Sequence, residues 1–180
     1  MKNNKDSLNK NYIDVIYDED SKPITDYPHK LTNYLKNKLD ISDNSIILDV
    51  GCGRGDFLNG FIDNGLNGYG VDFTDAAKKH CPKGKIFQAD IEKNGMPFED
   101  NFFDVVFSKS VIEHFYDPDI LIKECKRCLK PGGLIIVMCP SWEHNYRIYF
   151  EDFTHRSPFM KTSLNDILQM NGFLDIKVEF

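Results

Sequence analysis

The sequence predicts a doubly wound α/β fold, a mostly parallel sheet with helices on both faces. Three observations carry this reading. Ile46–Val50 is a short apolar run, β-branched on both sides of Leu48, and it leads into glycines at alternate positions, Gly51, Gly53 and Gly55, before a helical pattern begins near Asp56. Three successive strand candidates carry an aspartate at their carboxyl ends, Asp49, Asp72 and Asp90, which marks the ligand edge of an open α/β sheet. A Pro131-Gly132-Gly133 turn then feeds another apolar run at 134–137.

Each element follows in order. Residues 1–26 are rich in Asn, Asp and Lys and read as a flexible segment. Their one apolar patch, 12–17, is either surface packing or a lid. The remainder, 27–180, reads as one domain. Leu31, Tyr34, Leu35 and Leu39 give residues 27–40 a helical spacing. The strand at 46–50, the glycine turn and a helix with Phe57, Leu58, Phe61 and Ile62 on one face come next, and Asn64-Gly65 stops that helix. Residues 68–72 are the second strand and 85–90 the third. The run 103–108 is the fourth strand, 109–115 a helical segment ended by Asp117-Pro118, and 120–129 a further helix. After the fifth strand the tail holds Trp142, Tyr146, Tyr149, Phe150, Phe153 and Phe159, as pocket wall or as core. A helix at 163–170 stops at Asn171-Gly172, and 174–180 alternates like a strand.

Composition sets bounds. With 180 residues, 41% hydrophobic and 28% charged, the chain is long enough for a real core. A net charge of −6 argues against a nucleic-acid partner. No apolar run approaches the ~18 residues a membrane span needs, and no signal-type segment follows Met1, so a cytoplasmic protein is expected. An odd count of 5 cysteines fits a reducing compartment. Cys125 and Cys128 form a C-x-x-C without a second pair nearby, and packing on a helix accounts for them.

The glycine turn narrows the ligand. Glycines permit positive φ and close backbone approach, and the following helix offers free N–H groups. A dinucleotide fingerprint needs its third glycine one position later, where Asp56 stands, and the Gly-Lys-Ser/Thr of a phosphate loop is absent. Asp49 just before the turn repels a pyrophosphate and welcomes an ammonium group. The inferred ligand has an amino acid end.

Residues 48–55, Leu-Asp-Val-Gly-Cys-Gly-Arg-Gly, resemble motif I of class I S-adenosylmethionine-dependent methyltransferases, of the small type 11/12-like kind. Met96-Pro97-Phe98 through Phe102-Phe103-Asp104-Val105-Val106 and Leu129-Lys130-Pro131-Gly132-Gly133 resemble later motifs of the same family, in the same order. The resemblance implies a Rossmann-like fold and S-adenosyl-L-methionine as cofactor. It places Asp49, Gly51, Cys52 and Gly53 against the amino acid and ribose parts. Asp72, 23 positions after Asp49, would take the ribose hydroxyls, and Phe73 would stack on the adenine. Asp90 and the Ile91 N–H would meet the adenine edge, and Ser108 and Lys109 complete the cofactor set. The family sheet usually closes with an antiparallel hairpin, whereas here the final antiparallel strand is missing. An oligomer through the open sheet edge is one outcome.

For chemistry, the sulfonium already makes the methyl group electrophilic, so the protein aligns an acceptor and excludes water. His155, in a 152–159 segment resembling the family's D-x-T-H-x-x-P-F, and His114 after the fourth strand are the candidate catalytic residues; a role in holding loop backbone is the alternative for each. Some relatives, terminal 2′-O-methyltransferases of small RNAs and ubiquinone-pathway O-methyltransferases, hold a divalent metal with E-x-x-E-H here. Ser110 stands at the first Glu position, so no metal is expected, with Glu113, His114 and His155 left as a reduced candidate set. The expected function is O- or N-methylation of a small-molecule or glycan-type acceptor. The alternatives are a non-catalytic cofactor-binding module and a nicotinamide-dependent oxidoreductase, the latter disfavoured by the misplaced glycine.

Overall fold

The computed structural model describes residues 23–180. The candidate lid at 12–17 lies outside them. The elements are α1 (Tyr27–Lys38), β1 (Ile46–Val50), α2 (Asp56–Asp63), β2 (Asn67–Asp72), α3 (Ala77–His80), β3 (Lys85–Gln88), α4 (Ile91–Asn94), β4 (Phe103–Lys109), a 3₁₀ turn (Ile112–His114), α5 (Pro118–Cys128), β5 (Leu129–Met138), α6 (Trp142–Asn145), a second 3₁₀ turn (Tyr149–Glu151) and α7 (Lys161–Met170).

The five strands are ordered β3-β2-β1-β4-β5 and all four pairings are parallel. The chain winds outward through β1, β2 and β3, then returns to lay β4 on the other side of β1. Between β1 and β4 the direction of winding reverses, and the crevice at the carboxyl ends of these strands is where such sheets take ligands.

Strand alternation divides the core in two. Leu48, Val50 and Val106 face one layer with Leu121, Ile122, Cys125 and Cys128 of α5 and Leu164 and Leu168 of α7. Ile47, Val105 and Phe107 face the other with Phe61 of α2 and Leu35 of α1. Each fully buried side chain of this size contributes roughly 1.5–3 kcal/mol. Cys125 and Cys128 are fully buried packing residues on α5, and burial pushes the Cys128 thiol up to about 11. Where α1 crosses α2, a Cβ on Gly60 would stand 2.5 Å from Thr32 Oγ1, so this position has room only for glycine. Tyr69, Phe87, Phe98 and Phe103, from β2, β3, the loop before β4 and β4 itself, form an edge-to-face and stacked cluster. Arg127 fastens the loop beneath it by donating to Met96 O, Phe98 O, Asp100 and Glu124.

Three expectations need correction. Residues 174–180 form no strand, because among the described residues β5 pairs only with β4 and the tail's alternation finds no partner. Asp117-Pro118 opens α5 instead of ending a helix: Pro118 occupies the first turn, where a missing N–H costs nothing, and Asp117 accepts from the Asp119 N–H at 3.2 Å. Asp90 lies two residues beyond β3, as the N-cap of α4.

Candidate functional site

The turn after β1 is shaped by its glycines. Gly51, Gly53 and Gly55 all have positive φ, +71°, +53° and +86°. A Cβ on Gly51 would meet Val111 Cγ2 at 2.2 Å, whereas one on Gly53 would meet nothing within 4 Å. The first glycine is closed against β4's loop and the second faces open space. Val71 O accepts from the Gly51 and Cys52 N–H groups at 2.8 and 3.2 Å, which draws the turn against β2. Arg54 is tied to Asp56, the first residue of α2, with its Nη2 at 2.6 Å from Oδ2.

A cavity of about 310 Å³ opens over this turn. One wall is Gly51, Gly53, Asp72, Phe73 and Thr74, and a second is Ala89, Asp90, Ile91 and Glu92. Ser110, Val111, His114, Phe115 and Thr154 form the third. Of the sequence-derived cofactor set, Gly51, Gly53, Asp72, Phe73, Asp90 and Ile91 border the cavity. Asp49, Cys52 and Ser108 are buried beneath the turn, with Asp49 Oδ2 and Ser108 Oγ lacking a hydrogen-bond partner. Lys109 extends its ammonium over the Phe57 ring, 5.1 Å from the centroid.

The carboxylates are differently employed. Asp72 Oδ2 accepts from the Gly53 N–H and Oδ1 from the Thr74 N–H, each at 2.9 Å, so it braces the turn while facing the cavity. Asp90 caps α4 through the Lys93 N–H at 3.3 Å and is paired with the Lys93 ammonium. Burial, and next the charge of Asp72, hold the Asp49 carboxyl well above the usual range. Burial also pushes the Cys52 thiol up, so it is no nucleophile here.

The far wall is assembled across 40 residues of sequence. The backbone carbonyl of Glu113 accepts from the N–H groups of Arg156 and Ser157 at 2.7 and 3.0 Å, and Ser157 Oγ donates to Phe115 O at 2.9 Å. Tyr149 OH donates to Ser157 O at 2.8 Å. These bonds staple the 152–158 loop onto the first 3₁₀ turn and bring the His114 and His155 rings to 4.8 Å between centroids. Thr154 Oγ1 lies 2.9 Å from His114 Nδ1, and His155 Nδ1 lies 2.6 Å from Tyr149 O. His114 borders the cavity and His155 stands behind it. Burial lowers the His114 pKa, which keeps its ring neutral near pH 7. Glu113 is fully buried, neither carboxyl oxygen has a partner, and burial pushes its pKa up to about 7. Thr154 and Val111 were not singled out from sequence; only the Asp-x-Thr pattern, which makes an Asx turn, signals the first.

Comparison with known proteins supplies the context. The sequence family described as "Methyltransferase domain" matches residues 48–137. A probable S-adenosylmethionine-dependent methyltransferase of Mycolicibacterium smegmatis is 31% identical over 137 residues, covering 71% of this chain and 51% of that protein. A sterol 4-C-methyltransferase of Caenorhabditis elegans is 35% identical over 114 residues, 58% of this chain and 34% of that one. The chain thus spans a third to a half of the length of these curated relatives. Among solved structures, a SAM-dependent methyltransferase from Archaeoglobus fulgidus superposes with a TM-score of 0.72 at 27% identity, covering 85% of this chain and 72% of that one. A Haemonchus contortus N-methyltransferase in complex with S-adenosylhomocysteine shares the fold, with a TM-score of 0.72 at 23% identity over 93% of this chain and 45% of that one.

Proposed function

This chain belongs to the class I S-adenosylmethionine-dependent methyltransferases, with S-adenosylmethionine as cofactor, and from that premise we propose that it methylates an oxygen or nitrogen of a small-molecule or glycan-type acceptor. The residues present fit the cofactor. A buried carboxylate oxygen of Asp49 without a partner suits an ammonium group, Gly53 leaves space that any side chain would fill, and Asp72 presents a carboxylate along the cavity wall. When bound, the cofactor supplies an electrophilic methyl group. The chain's own task is to bind, orient and dry the two reactants.

The observation that carries the reading is the single cavity that runs from the glycine turn to His114 and Thr154. The glycine-turn side offers the residues that suit the cofactor, and the far wall carries His114, a group able to take an acceptor's proton. Phe115 and Val111 make part of that wall apolar.

The test has two steps. S-adenosylhomocysteine at about 100 times its Kd stabilises the protein by ~2.7 kcal/mol, a Tm rise of several degrees, and NAD does not. Incubation of methyl-labelled cofactor with fractionated small-molecule extracts then yields a labelled product. A chain stabilised by NAD and indifferent to S-adenosylhomocysteine would refute the assignment.

A further inference from the structure

Among the described residues, the titratable side chains that border the cavity are Asp72, Asp90, Glu92 and His114. The three carboxylates are engaged. Asp72 accepts from two backbone N–H groups, Asp90 is paired with Lys93, and Glu92 Oε1 accepts from the Tyr116 N–H at 2.9 Å. His114 is left to handle a proton, and Asp152 settles which of its nitrogens carries one.

Although burial raises it, hydrogen bonds from the Thr154 hydroxyl and N–H hold the Asp152 carboxyl below the usual carboxylate range, so at neutral pH it is ionised and only accepts. The one hydroxyl proton of Thr154 therefore goes to Asp152 Oδ1. Thr154 Oγ1, 2.9 Å from His114 Nδ1, has only a lone pair left for the ring. The neutral imidazole thus holds its proton on Nδ1 and keeps a free electron pair on Nε2. A carboxylate that fixes an imidazole tautomer from the far nitrogen is the logic of a hydrolase triad, here with a threonine interposed.

The neighbouring groups do not compete for this role. His155 Nδ1 donates to Tyr149 O at 2.6 Å, its Nε2 stands 3.8 Å from Asp152 Oδ2, and the ring lies behind the cavity wall. Glu113 is fully buried and outside the lining, and burial pushes its carboxyl up to about 7, so it is partly protonated at neutral pH. Burial is the largest influence on the His114 ring and lowers its pKa; the charges that reach it are those of Asp152, which raises it, and of His155 and Arg156, which lower it.

We propose that His114 Nε2 is the general base for a hydroxyl acceptor, with Asp152 as a positioning residue that acts on it through Thr154, so that the methyl group goes to oxygen. This deepens the methyl-transfer reading and rests on it. A hydroxyl becomes a competent nucleophile only as its proton leaves, whereas a neutral amine carries its lone pair before attack and gains less from a base held in one tautomer. The acceptor's O–H bond breaks towards His114 Nε2, the freed electron pair of the oxygen forms the bond to the methyl carbon, and the pair of the breaking S–CH₃ bond stays on sulfur. The charge of Asp152 stabilises the resulting imidazolium, which then releases its proton to water. Imidazole suits a hydroxyl of phenolic or enolic acidity better than a plain alcohol, because the proton moves across a smaller pKa gap.

The experiment reads the ring directly. In the full chain at neutral pH, long-range ¹⁵N–¹H spectra show the His114 proton on Nδ1 and none on Nε2. Asp152→Asn keeps an oxygen for the Thr154 hydroxyl and N–H and removes the charge. The His114 pKa then falls by about half a unit, whereas a carboxylate that only shaped the loop would leave it in place, and S-adenosylhomocysteine affinity is unchanged. With methyl-labelled cofactor and the small-molecule extract fractions, the unaltered chain yields a labelled methyl ether. His114→Gln slows its formation roughly 100-fold or more; Asp152→Asn slows it roughly tenfold and moves the acid limb of the rate profile to lower pH. A proton on Nε2 in the unaltered chain, a His114 pKa that Asp152→Asn does not move, or a labelled N-methyl product would overturn the proposal. The spectra of the unaltered chain decide the matter should a variant not fold or no fraction be labelled. Failure of the unaltered chain to bind S-adenosylhomocysteine would overturn the methyl-transfer reading instead and leave the tautomer result standing.

Discussion

The hydroxyl of Thr154 lies 2.9 Å from Nδ1 of His114, although 40 residues separate them in sequence. Thr154 in turn is fixed by Asp152, whose Oδ1 accepts from both its hydroxyl and its N–H. This is how an exposed loop sets the orientation of a ring in the cavity wall. Thr154→Val keeps the shape and removes the link, worth about 1 kcal/mol, and methyl transfer is expected to fall roughly 2–10-fold. S-adenosylhomocysteine affinity, measured alongside, stays unchanged; an equal loss in both would show that the link supports the whole site instead.

The two glycines of the turn predict opposite phenotypes. Gly51→Ala combines a left-handed φ with a 2.2 Å clash on Val111, costing about 2–4 kcal/mol and lowering Tm on the order of 10 °C. Gly53→Ala meets no neighbour within 4 Å, so its cost to the fold is only about 1–2 kcal/mol. Its methyl enters the cavity, and cofactor affinity drops more than Tm does. Scanning fluorimetry and calorimetry on the pair check both halves.

Asp49 predicts a proton-linked affinity. Burial raises its pKa in the empty protein, and an incoming ammonium favours the ionised form. Below the raised pKa, binding must expel a proton, so S-adenosylhomocysteine binds more tightly as pH rises. Folding shows the opposite slope: a carboxyl that holds its proton better when folded loses stability as pH rises past its ordinary 3.8. Titrations in buffers of unlike ionisation heat measure the released proton, and Asp49→Asn abolishes it.

Glu124 predicts acid sensitivity. The side-chain hydrogen bonds from Arg127 hold its pKa below the ordinary 4.5. A depressed carboxyl stabilises the fold above its unfolded value and loses that contribution as pH falls through the folded one. Glu124→Gln therefore costs about 1–3 kcal/mol at pH 7 in urea unfolding, and the gap from wild type closes in acid.

Most of the frame was legible in sequence because local chemistry dictates it. The buried strand at 46–50 and glycines that need positive φ leave few other structures open, and the successive residues Ile47 and Leu48 face the two layers. The 174–180 tail misled because alternation describes a strand's faces and says nothing of a neighbour to pair with. The nearness of His114 to His155 was not legible either. It depends on two backbone N–H groups finding the carbonyl of Glu113, and no side-chain pattern encodes that.

The sole tryptophan of the chain stands against this loop, 5.3 Å from Tyr149 between ring centroids, and Tyr149 in turn touches the His155 ring at 4.5 Å. The Tyr69 and phenylalanine cluster is drawn from β2, β3, β4 and the loop before β4, and no ring of it is in contact with Trp142 among the described residues. Indole emission therefore reports on the 142–155 segment, and a perturbation that alters it without lowering Tm is local.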